Sequence, residues 1–480
     1  MIGMISTPII LFYLGEEKFG TLRVLLDWLA HLSLMEFGLY AAVMAFMAKA
    51  FGEKKGGLGP ALRMSIHKYK KVLIAQICAI FIFSIFFDKL VPIGEGQQKE
   101  AWMTFLILGT SVFFIFSQIF KAELEASQRG YIVSYVMMGQ NVIYVGASIL
   151  FLYWGWSLKG QAVAYVLSIA VAFGVFLWLC RGSLKFLRQK QDKSLDHAVF
   201  TKQRINLFIT ELCGRASLMS DNLMITFVLG AKEVTAFFIT QRLIQVLQSQ
   251  LQNVSGAAWP ALGELYYENE HGKFKERVLQ LTEFVAFLSG VSLTVTVIFN
   301  SPFILLWTGE NTFAGVWISN LAAINAGFFA LMSLWSWCFS LAHKTDRITK
   351  IFIGQAIVNV SLSYILTSRM GVVGPLLAAF IGYVGLAMWW VSFEVSQSFS
   401  ISFVTLLRAW FLPFIVPLSI AISCITFFGE PKVTSWWSLT FLAAGLTIIV
   451  FLINFYLLLT SRTREFFLNK IKKSKVFKKT

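Results

Sequence analysis

The sequence predicts an all-α integral membrane protein with about 14 transmembrane helices. We expect two parallel-repeat six-helix lobes around a central cavity, followed by a C-terminal helical hairpin. The prediction rests on composition, on long apolar runs and on an internal repeat. Of the 480 residues, 57% are hydrophobic and only 14% are charged, and the mean hydropathy is +0.69. Soluble domains usually contain about 45–50% apolar and about 25% charged residues, so a soluble globule is excluded.

The apolar runs approach or exceed the roughly 20 residues that an α-helix needs to cross about 30 Å of hydrocarbon. Runs such as WWSLTFLAAGLTIIVFLINFYLLL lack the alternation of polarity that is typical of β-barrel strands. We predict spans at 1–14, 21–48, 72–93, 101–121, 131–154, 160–181, 205–230, 234–259, 279–308, 313–342, 348–368, 373–393, 405–428 and 434–460.

An internal repeat divides the chain. At an offset of about 215 residues, Leu14-Gly15 aligns with Leu229-Gly230 and Gly139-Gln140 with Gly354-Gln355. Each lobe has six spans, an even number, so both lobes cross the membrane in the same sense, as in the parallel repeats of transporters. The predicted parts are an N-terminal lobe with a short first helix at 1–187, a charged cytoplasmic linker at 188–203, a C-terminal lobe at 204–397, an additional transmembrane hairpin at 398–461 and a basic cytoplasmic tail at 462–480.

The distribution of charge predicts the topology. About 31 of the 41 Lys and Arg residues fall on one side of the predicted spans, and the positive-inside rule places that side, with both termini, in the cytoplasm. The net charge of +16 therefore reflects topology and contact with anionic membrane lipids, and no nucleic-acid partner is expected. The five cysteines fall in separate spans without metal-ligand spacing, so no metal site is expected.

A polar stripe runs along the eighth predicted span, in the stretch TQRLIQVLQSQLQN. At 100° per residue, four glutamines lie within an arc of roughly 80°, with Arg242 on one flank. These are Gln241, Gln245, Gln248 and Gln252. Polar groups inside the hydrocarbon region face protein or water. A single glutamine in a membrane helix commonly forms a hydrogen bond to a neighbouring helix. The number of glutamines here instead favours a solvated face that binds a ligand.

The seventh predicted span adds Glu211 and Arg215 at i, i+4, with Asp221 and Asn222 further along. One interpretation is that Glu211 and Arg215 neutralise each other, which is the usual arrangement of intramembrane charges. The alternative is that the pair faces a wet cavity and exchanges partners with a ligand. Arginine is suited to phosphate because its planar fork donates two parallel hydrogen bonds. We therefore place Arg215, Asn222, Arg242 and the glutamines in a candidate substrate site.

The second predicted span carries Asp27, His31 and Glu36 in an otherwise apolar run. Asp27 is the repeat counterpart of Arg242. We hypothesise that the two pair in one transport state, or that Asp27 exchanges Na⁺ or H⁺ as Arg242 takes up an anionic substrate. The alternative is that Asp27 statically caps a helix end. The candidates for ion coupling or gating are Asp27, Glu36, Glu211 and Asp221.

Several short motifs in order resemble one superfamily. They are LGEEKFG, MEFGLY, SDNLMITFVLGAKEV, TQR and AAWPALGELY, and together they resemble the polysaccharide and O-antigen flippases of the multidrug/oligosaccharidyl-lipid/polysaccharide exporter superfamily. The resemblance implies alternating-access translocation of a polyprenyl-diphosphate-linked oligosaccharide for lipopolysaccharide or another surface polysaccharide. It also implies a bacterial cytoplasmic (inner) membrane location. We expect a monomer that associates with polysaccharide assembly proteins, no cofactor, and a coupling ion, Na⁺ or H⁺.

Other functions remain open at this point. A multidrug exporter of the same superfamily would need carboxylates and aromatics for lipophilic cations. A membrane-embedded polysaccharide polymerase or ligase would need a large outward loop with catalytic groups, and the predicted outward connections are short. No nucleophile and base stand out, so we expect a transporter and not an enzyme.

Overall fold

The computed structural model describes residues 2–36, 38–40, 43–44, 47, 58–91, 96–188, 221–268, 270–309, 312–342 and 344–465. All regular secondary structure in these residues is helical. It includes a short helical stretch at 221–229. Twelve long helices follow one another within them: α1 Ile2–Ser33, α2 Leu58–Ile85, α3 Gln98–Ala126, α4 Gly130–Tyr153, α5 Ser157–Leu179, α6 Ala231–Tyr267, α7 His271–Thr308, α8 Val316–Leu341, α9 Thr345–Met370, α10 374–399, α11 Phe403–Phe428 and α12 Trp436–Leu458.

Among the described residues, 8 helices are long and apolar enough to cross a membrane. One of them, Thr345–Phe399, has 55 residues and comprises both α9 and α10. Helix α6 is not one of the eight, because Arg242 and the glutamines lower its hydropathy. The chain is thus an all-α integral membrane protein, as predicted, while the predicted number of fourteen spans is not confirmed.

The second predicted span, 21–48, is not one continuous α-helix. Helix α1 ends at Ser33, a 3₁₀ turn follows at Leu34–Glu36, and Gly38 has φ 68°. A positive φ in this range favours glycine and interrupts an α-helix. Within α1, Gly15 has φ 75° and separates the first predicted span from the second. Glu36 therefore lies at a break in the helix and not on a helical face.

Glycines at equivalent points of the two predicted lobes have equivalent roles. Gly15 and Gly230 have φ 75° and 99°, and each lies between two helical segments. At the start of α5, a Cβ on Gly160 would lie 2.9 Å from Phe151 Cβ, and at the start of α10, a Cβ on Gly374 would lie 2.3 Å from the Thr367 backbone nitrogen. Both glycines thus allow a helix to pack closely on the preceding one, which supports the predicted repeat.

The chain divides into two compact units, Met1–Thr235 and Ala236–Thr480. In the N-terminal unit, α4 packs on α5, and both contact α1. The start of α6 belongs to this unit because it lies against α1. Thr235 Oγ1 donates to the Glu16 carbonyl over 2.5 Å, and a Cβ on Gly20 would lie 2.0 Å from the Ala231 carbonyl oxygen. The predicted linker between the lobes, at 188–203, lies earlier in the chain than the division between these two units. The predicted lobe boundaries therefore stay a prediction.

Helix α7 is the centre of the C-terminal unit and packs against α8, α11 and α12. Gly290 allows the closest approach, since a Cβ there would lie 1.9 Å from the Pro413 carbonyl oxygen. The same carbonyl accepts a hydrogen bond from Asn454 Nδ2 over 2.7 Å. The Pro413 carbonyl of α11 is therefore in contact both with α7, at Gly290, and with the Asn454 side chain of α12. The helices α11 and α12 form the predicted C-terminal hairpin.

Candidate functional site

A cluster of carboxylates lies inside the N-terminal unit. Asn222 Nδ2 donates to Asp27 Oδ2 over 2.7 Å, which joins α1 to the helical stretch before α6. Asp221 is buried, and its Oδ1 has no hydrogen-bond partner among the described residues. Asp221 also lies close enough to Asp27 to interact electrostatically with it. We call Asp27, Asp221 and Asn222 the carboxylate cluster.

Sequence reasoning missed a cation beside this cluster. Arg23 lies one helical turn before Asp27 and interacts electrostatically with both Asp27 and Tyr144. Its guanidinium also lies over the Phe19 ring, 5.0 Å from the ring centroid. The i, i+4 spacing of Arg23 and Asp27 on one helix is the signal that could have revealed it. His31 Nδ1 forms a 2.7 Å hydrogen bond with the Asp27 carbonyl, in agreement with a packing role for this histidine.

The glutamine stripe, defined as Gln241, Gln245, Gln248 and Gln252, lies on α6 in the C-terminal unit. Gln241 is 9% exposed, and the other three side chains are half-buried. Arg242 is half-buried beside them, with its guanidinium 5.5 Å from the centroid of the Phe238 ring. The stripe is thus buried at Gln241 and partly exposed at the other three glutamines.

Thr240, the first residue of the TQR motif, holds the stripe in place. Its hydroxyl accepts a hydrogen bond from the Ala314 backbone nitrogen over 2.8 Å. Its carbonyl accepts from Asn300 Nδ2 over 2.8 Å, and the same amide nitrogen donates to Ser319 Oγ over 2.9 Å. These bonds tie α6 to α7 and α8, so that Gln241 and Arg242 start from a fixed backbone. Sequence reasoning assigned no role to Thr240 or Asn300.

The other candidate residues are distributed as follows. Glu36 lies in the 3₁₀ turn after α1 and interacts electrostatically with Lys121 of α3. Glu211 and Arg215 lie outside the described residues. Asp27 and Arg242 belong to different compact units, so their exchange stays a prediction. Among the described residues, no group of three or more His, Cys, Asp or Glu is placed to hold a metal ion.

These arrangements differ in the chemistry that they allow. Asp221 is buried and Asp27 is half-buried. Arg23 already offsets part of their negative charge, so a bound proton or small cation would relieve only the repulsion that remains. A guanidinium and a row of amides suit an anionic group with hydroxyls, since amides both donate and accept hydrogen bonds.

The comparisons with known proteins agree with a transporter architecture. Residues 1–266 match the family model described as "Polysaccharide biosynthesis protein". No curated protein is similar enough in sequence to be matched. The structure resembles the lipid II flippase MurJ in an inward closed conformation, with a TM-score of 0.69 and 15% identity over 94% of this chain and 96% of that one.

Multidrug transporters share the fold as well. An inward-facing multidrug resistance MATE family transporter of the MOP superfamily matches with a TM-score of 0.67 and 15% identity over 84% of this chain and 95% of that one. An outward-facing one matches with a TM-score of 0.61 and 13% identity over 82% of this chain and 92% of that one. At these identities the likeness shows the fold. Since the family model covers more than half of the sequence, we conclude that the chain belongs to the polysaccharide biosynthesis protein family.

Proposed function

We propose that this protein is a flippase that translocates a polyprenyl-diphosphate-linked oligosaccharide, an O-antigen or other surface polysaccharide unit, by alternating access. The observation that carries the proposal is the glutamine stripe with Arg242 on α6. Such groups are costly inside a membrane unless they serve a ligand or each other. Membership of the polysaccharide biosynthesis family and the fold shared with a lipid II flippase support the same function.

The substrate has three parts with different requirements. Its diphosphate needs cations, for which Arg242 and Arg215 are the candidates, because guanidinium binds phosphate through paired hydrogen bonds. Its sugar hydroxyls need groups that donate and accept, which the glutamine stripe supplies; Asn222, in the N-terminal unit, is a further candidate. Its polyprenyl tail can remain in the surrounding lipid. A lipophilic drug cation carries no phosphate for a guanidinium to bind.

We assign ion coupling to the carboxylate cluster, with Na⁺ or H⁺ as the coupling ion and with Glu36 and Glu211 as further candidates. Asp27 and Asp221 are carboxylates of the same unit that interact electrostatically. Loading a cation between them would remove their repulsion and allow α1 and the stretch before α6 to approach each other. Unloading would favour their separation. Alternating access needs such a two-state element.

The remaining assignments come from the charge distribution and from the resemblance to the flippases. On the basis of the resemblance we place the protein in the bacterial cytoplasmic (inner) membrane, and on the basis of the positive-inside bias we place both termini in the cytoplasm. It acts as a transporter and not as an enzyme. We expect it to function as a monomer that associates with polysaccharide assembly proteins, without cofactor.

The decisive test is leaflet-resolved transport of a lipid-linked oligosaccharide in proteoliposomes. We expect the wild-type protein to expose the labelled sugar on the opposite leaflet, and Arg242→Ala to lower the rate at least about tenfold, as expected when a charge-assisted contact worth roughly 1.5–3 kcal/mol is lost. The matched control is Arg369→Ala, because Arg369 is exposed at the end of α9. Transport of lipophilic drug cations without transport of the lipid-linked oligosaccharide would instead establish a multidrug exporter.

A further inference from the structure

A cavity lies inside the N-terminal unit, apart from the glutamine stripe. Its volume is ≈ 480 Å³, and every residue that lines it falls between Leu26 and Phe176. Helices α1 to α5 all contribute to its wall. The volume lies within the roughly 300–1,000 Å³ of pockets that bind small ligands. Of the predicted candidate site residues that the structure describes, Glu36 is the one that lines this cavity.

Polar side chains are numerous in the wall. The longer ones are Glu36, Gln76, Gln118, Lys121 and Gln140, and three serines join them at 33, 111 and 117. A hydrocarbon tail cannot form hydrogen bonds with these groups. Burying the polar groups beside such a tail would therefore cost free energy without compensation. The wall therefore fits a ligand that has hydrogen-bonding groups as well as apolar faces.

Lys121 is placed to act on such a ligand. Its ammonium lies over the Phe176 ring, 5.7 Å from the ring centroid, and it interacts electrostatically with Glu36 and Glu125. Within the described part of the chain it makes neither a hydrogen bond nor an ion pair. Its three N–H donors are therefore not used by the described protein groups, while the two carboxylates offset its charge. This balance favours a neutral ligand over an anionic one.

Gln76 provides a second, independent indication. The side chain is only 3% exposed, and its Nε2 donates to the Leu32 carbonyl over 2.9 Å. That bond fixes the orientation of the amide. The Oε1 atom of the same amide has no hydrogen-bond partner among the described residues. A buried acceptor without a donor is costly, and a ligand hydroxyl in the adjoining cavity would supply the donor after a small side-chain adjustment.

Aromatic rings complete the wall. Phe114 and Phe173 both line the cavity, with their ring centroids 5.7 Å apart, and Tyr165 lines it nearby. Sugar rings have hydroxyls at their edges and apolar C–H faces that pack on aromatic rings. Amides, an ammonium, a carboxylate and ring faces in one cavity match both surfaces of a sugar.

We propose that this cavity binds one or two neutral sugar units of the lipid-linked oligosaccharide, as a sugar subsite within the N-terminal unit. The inference rests on the proposed flippase function. Glu36 follows the end of α1, and Lys121 lies in the last turns of α3, which is the end that the positive-inside bias places in the cytoplasm. A lipid-linked oligosaccharide that enters from the cytoplasmic leaflet would therefore bring its sugar to this subsite first.

The test measures binding of three lipids to the full chain in nanodiscs: a polyprenyl diphosphate, the same lipid with one neutral sugar, and the same lipid with a short neutral oligosaccharide. We expect the wild type to bind the sugar-bearing lipids more tightly than the bare diphosphate. Lys121→Met and Gln140→Leu should each reduce this sugar-dependent gain about tenfold, through loss of hydrogen bonds worth roughly 1.5 kcal/mol. Their affinity for the bare diphosphate should not change.

Two controls keep the outcome clear. Lys185→Met and Gln250→Leu change exposed residues of the same types and should retain the full gain. Gln118→Asn keeps the amide but shortens its reach, so it tests the subsite even if Lys121→Met does not fold. Equal affinity of the wild type for all three lipids would overturn the subsite, and so would an unchanged gain in Lys121→Met, Gln140→Leu and Gln118→Asn, which indicates a cavity filled with water only. Failure of the wild type to bind or flip any of the lipids would instead overturn the flippase itself.

Discussion

Asn222 donates a 2.7 Å hydrogen bond from its side-chain amide to the Asp27 carboxylate, across 195 residues of sequence. The bond joins two helical segments through a charged acceptor, and such bonds are about twice as strong as neutral ones. Asp221 lies beside Asn222 and interacts electrostatically with Asp27. A change in the charge of Asp27 therefore alters both its hydrogen bond with Asn222 and its interaction with Asp221, at the junction of α1 and the stretch before α6. In the proposed function, ion binding would be coupled to helix position at this junction.

The first prediction concerns the charge of Asp27. Asp27→Asn keeps an oxygen that can accept from Asn222 but removes the negative charge. We expect ion-gradient-driven transport to fall to near background, while the temperature of unfolding in detergent changes little. Transport in proteoliposomes with an imposed Na⁺ or proton gradient checks this. Glu233→Gln, an exposed carboxylate at the start of α6, is the control. A variant with the wild-type rate and ion dependence would show that Asp27 is a static structural group.

The second prediction separates ligand binding from helix packing in the glutamine stripe. Gln248 and Gln250 lie on the same helix but about 200° apart around it, and Gln250 is exposed. We expect Gln248→Leu to lower oligosaccharide transport about five- to tenfold, because one amide contact is worth roughly 1 kcal/mol. Gln250→Leu should transport normally. A lower unfolding temperature in Gln248→Leu, with an unchanged transport rate per folded molecule, would show that the glutamine stripe forms hydrogen bonds between helices and does not bind the substrate.

The sequence predicted the helical class because hydropathy over long runs is a local property. It predicted Gly15 and Gly230 as equivalent points because a backbone that needs positive φ selects the same residue in both halves. It did not predict the break after Ser33, since the run from 21 to 48 is apolar on both sides of Gly38. Hydropathy alone cannot detect such a change of backbone conformation.

The candidate site was less accessible to sequence reasoning. The polarity of Asp27, Asn222 and the glutamine stripe was visible, because intramembrane polar residues are conspicuous. The bond between Asp27 and Asn222 was not, because it depends on how two distant segments pack. The cavity around Lys121 was missed for the same reason. Its polar residues are spread over five helices, and only the packing of those helices brings them together.

The third prediction concerns the approach of α6 to α1. A Cβ at position 20 would lie 2.0 Å from a backbone oxygen, that of Ala231, and backbone cannot rotate away as a side chain can. We expect Gly20→Ala to be destabilising by about 1–3 kcal/mol through overpacking, with a lower unfolding temperature in detergent. Gly139→Ala in α4 is the matched control. No atom lies within 4 Å of its added Cβ, so the better helix propensity of alanine should stabilise the protein slightly. Equal unfolding temperatures for Gly20→Ala and wild type would contradict this contact.

The last prediction concerns how the C-terminal hairpin is fixed to α7. The buried Glu283 carboxylate accepts three hydrogen bonds: from the Thr460 backbone nitrogen over 2.5 Å, from Thr460 Oγ1 over 2.8 Å and from Thr463 Oγ1 over 2.5 Å. Glu283→Gln removes the negative charge of the acceptor, so the three bonds lose the charge assistance that makes such bonds about twice as strong as neutral ones.

We expect this substitution to cost about 1–3 kcal/mol and to speed amide hydrogen exchange at Thr460, whose N–H is one of the three donors. Exchange measured by mass spectrometry on peptides that cover the end of α12 and the following turn checks it. Glu268→Gln, at an exposed position after α6, should leave the exchange unchanged. Because the three donors lie within four residues of each other, the loss should be confined to this turn. Faster exchange spread evenly over α11 and α12 would show that the hairpin is held by its apolar packing on α7 and not by Glu283.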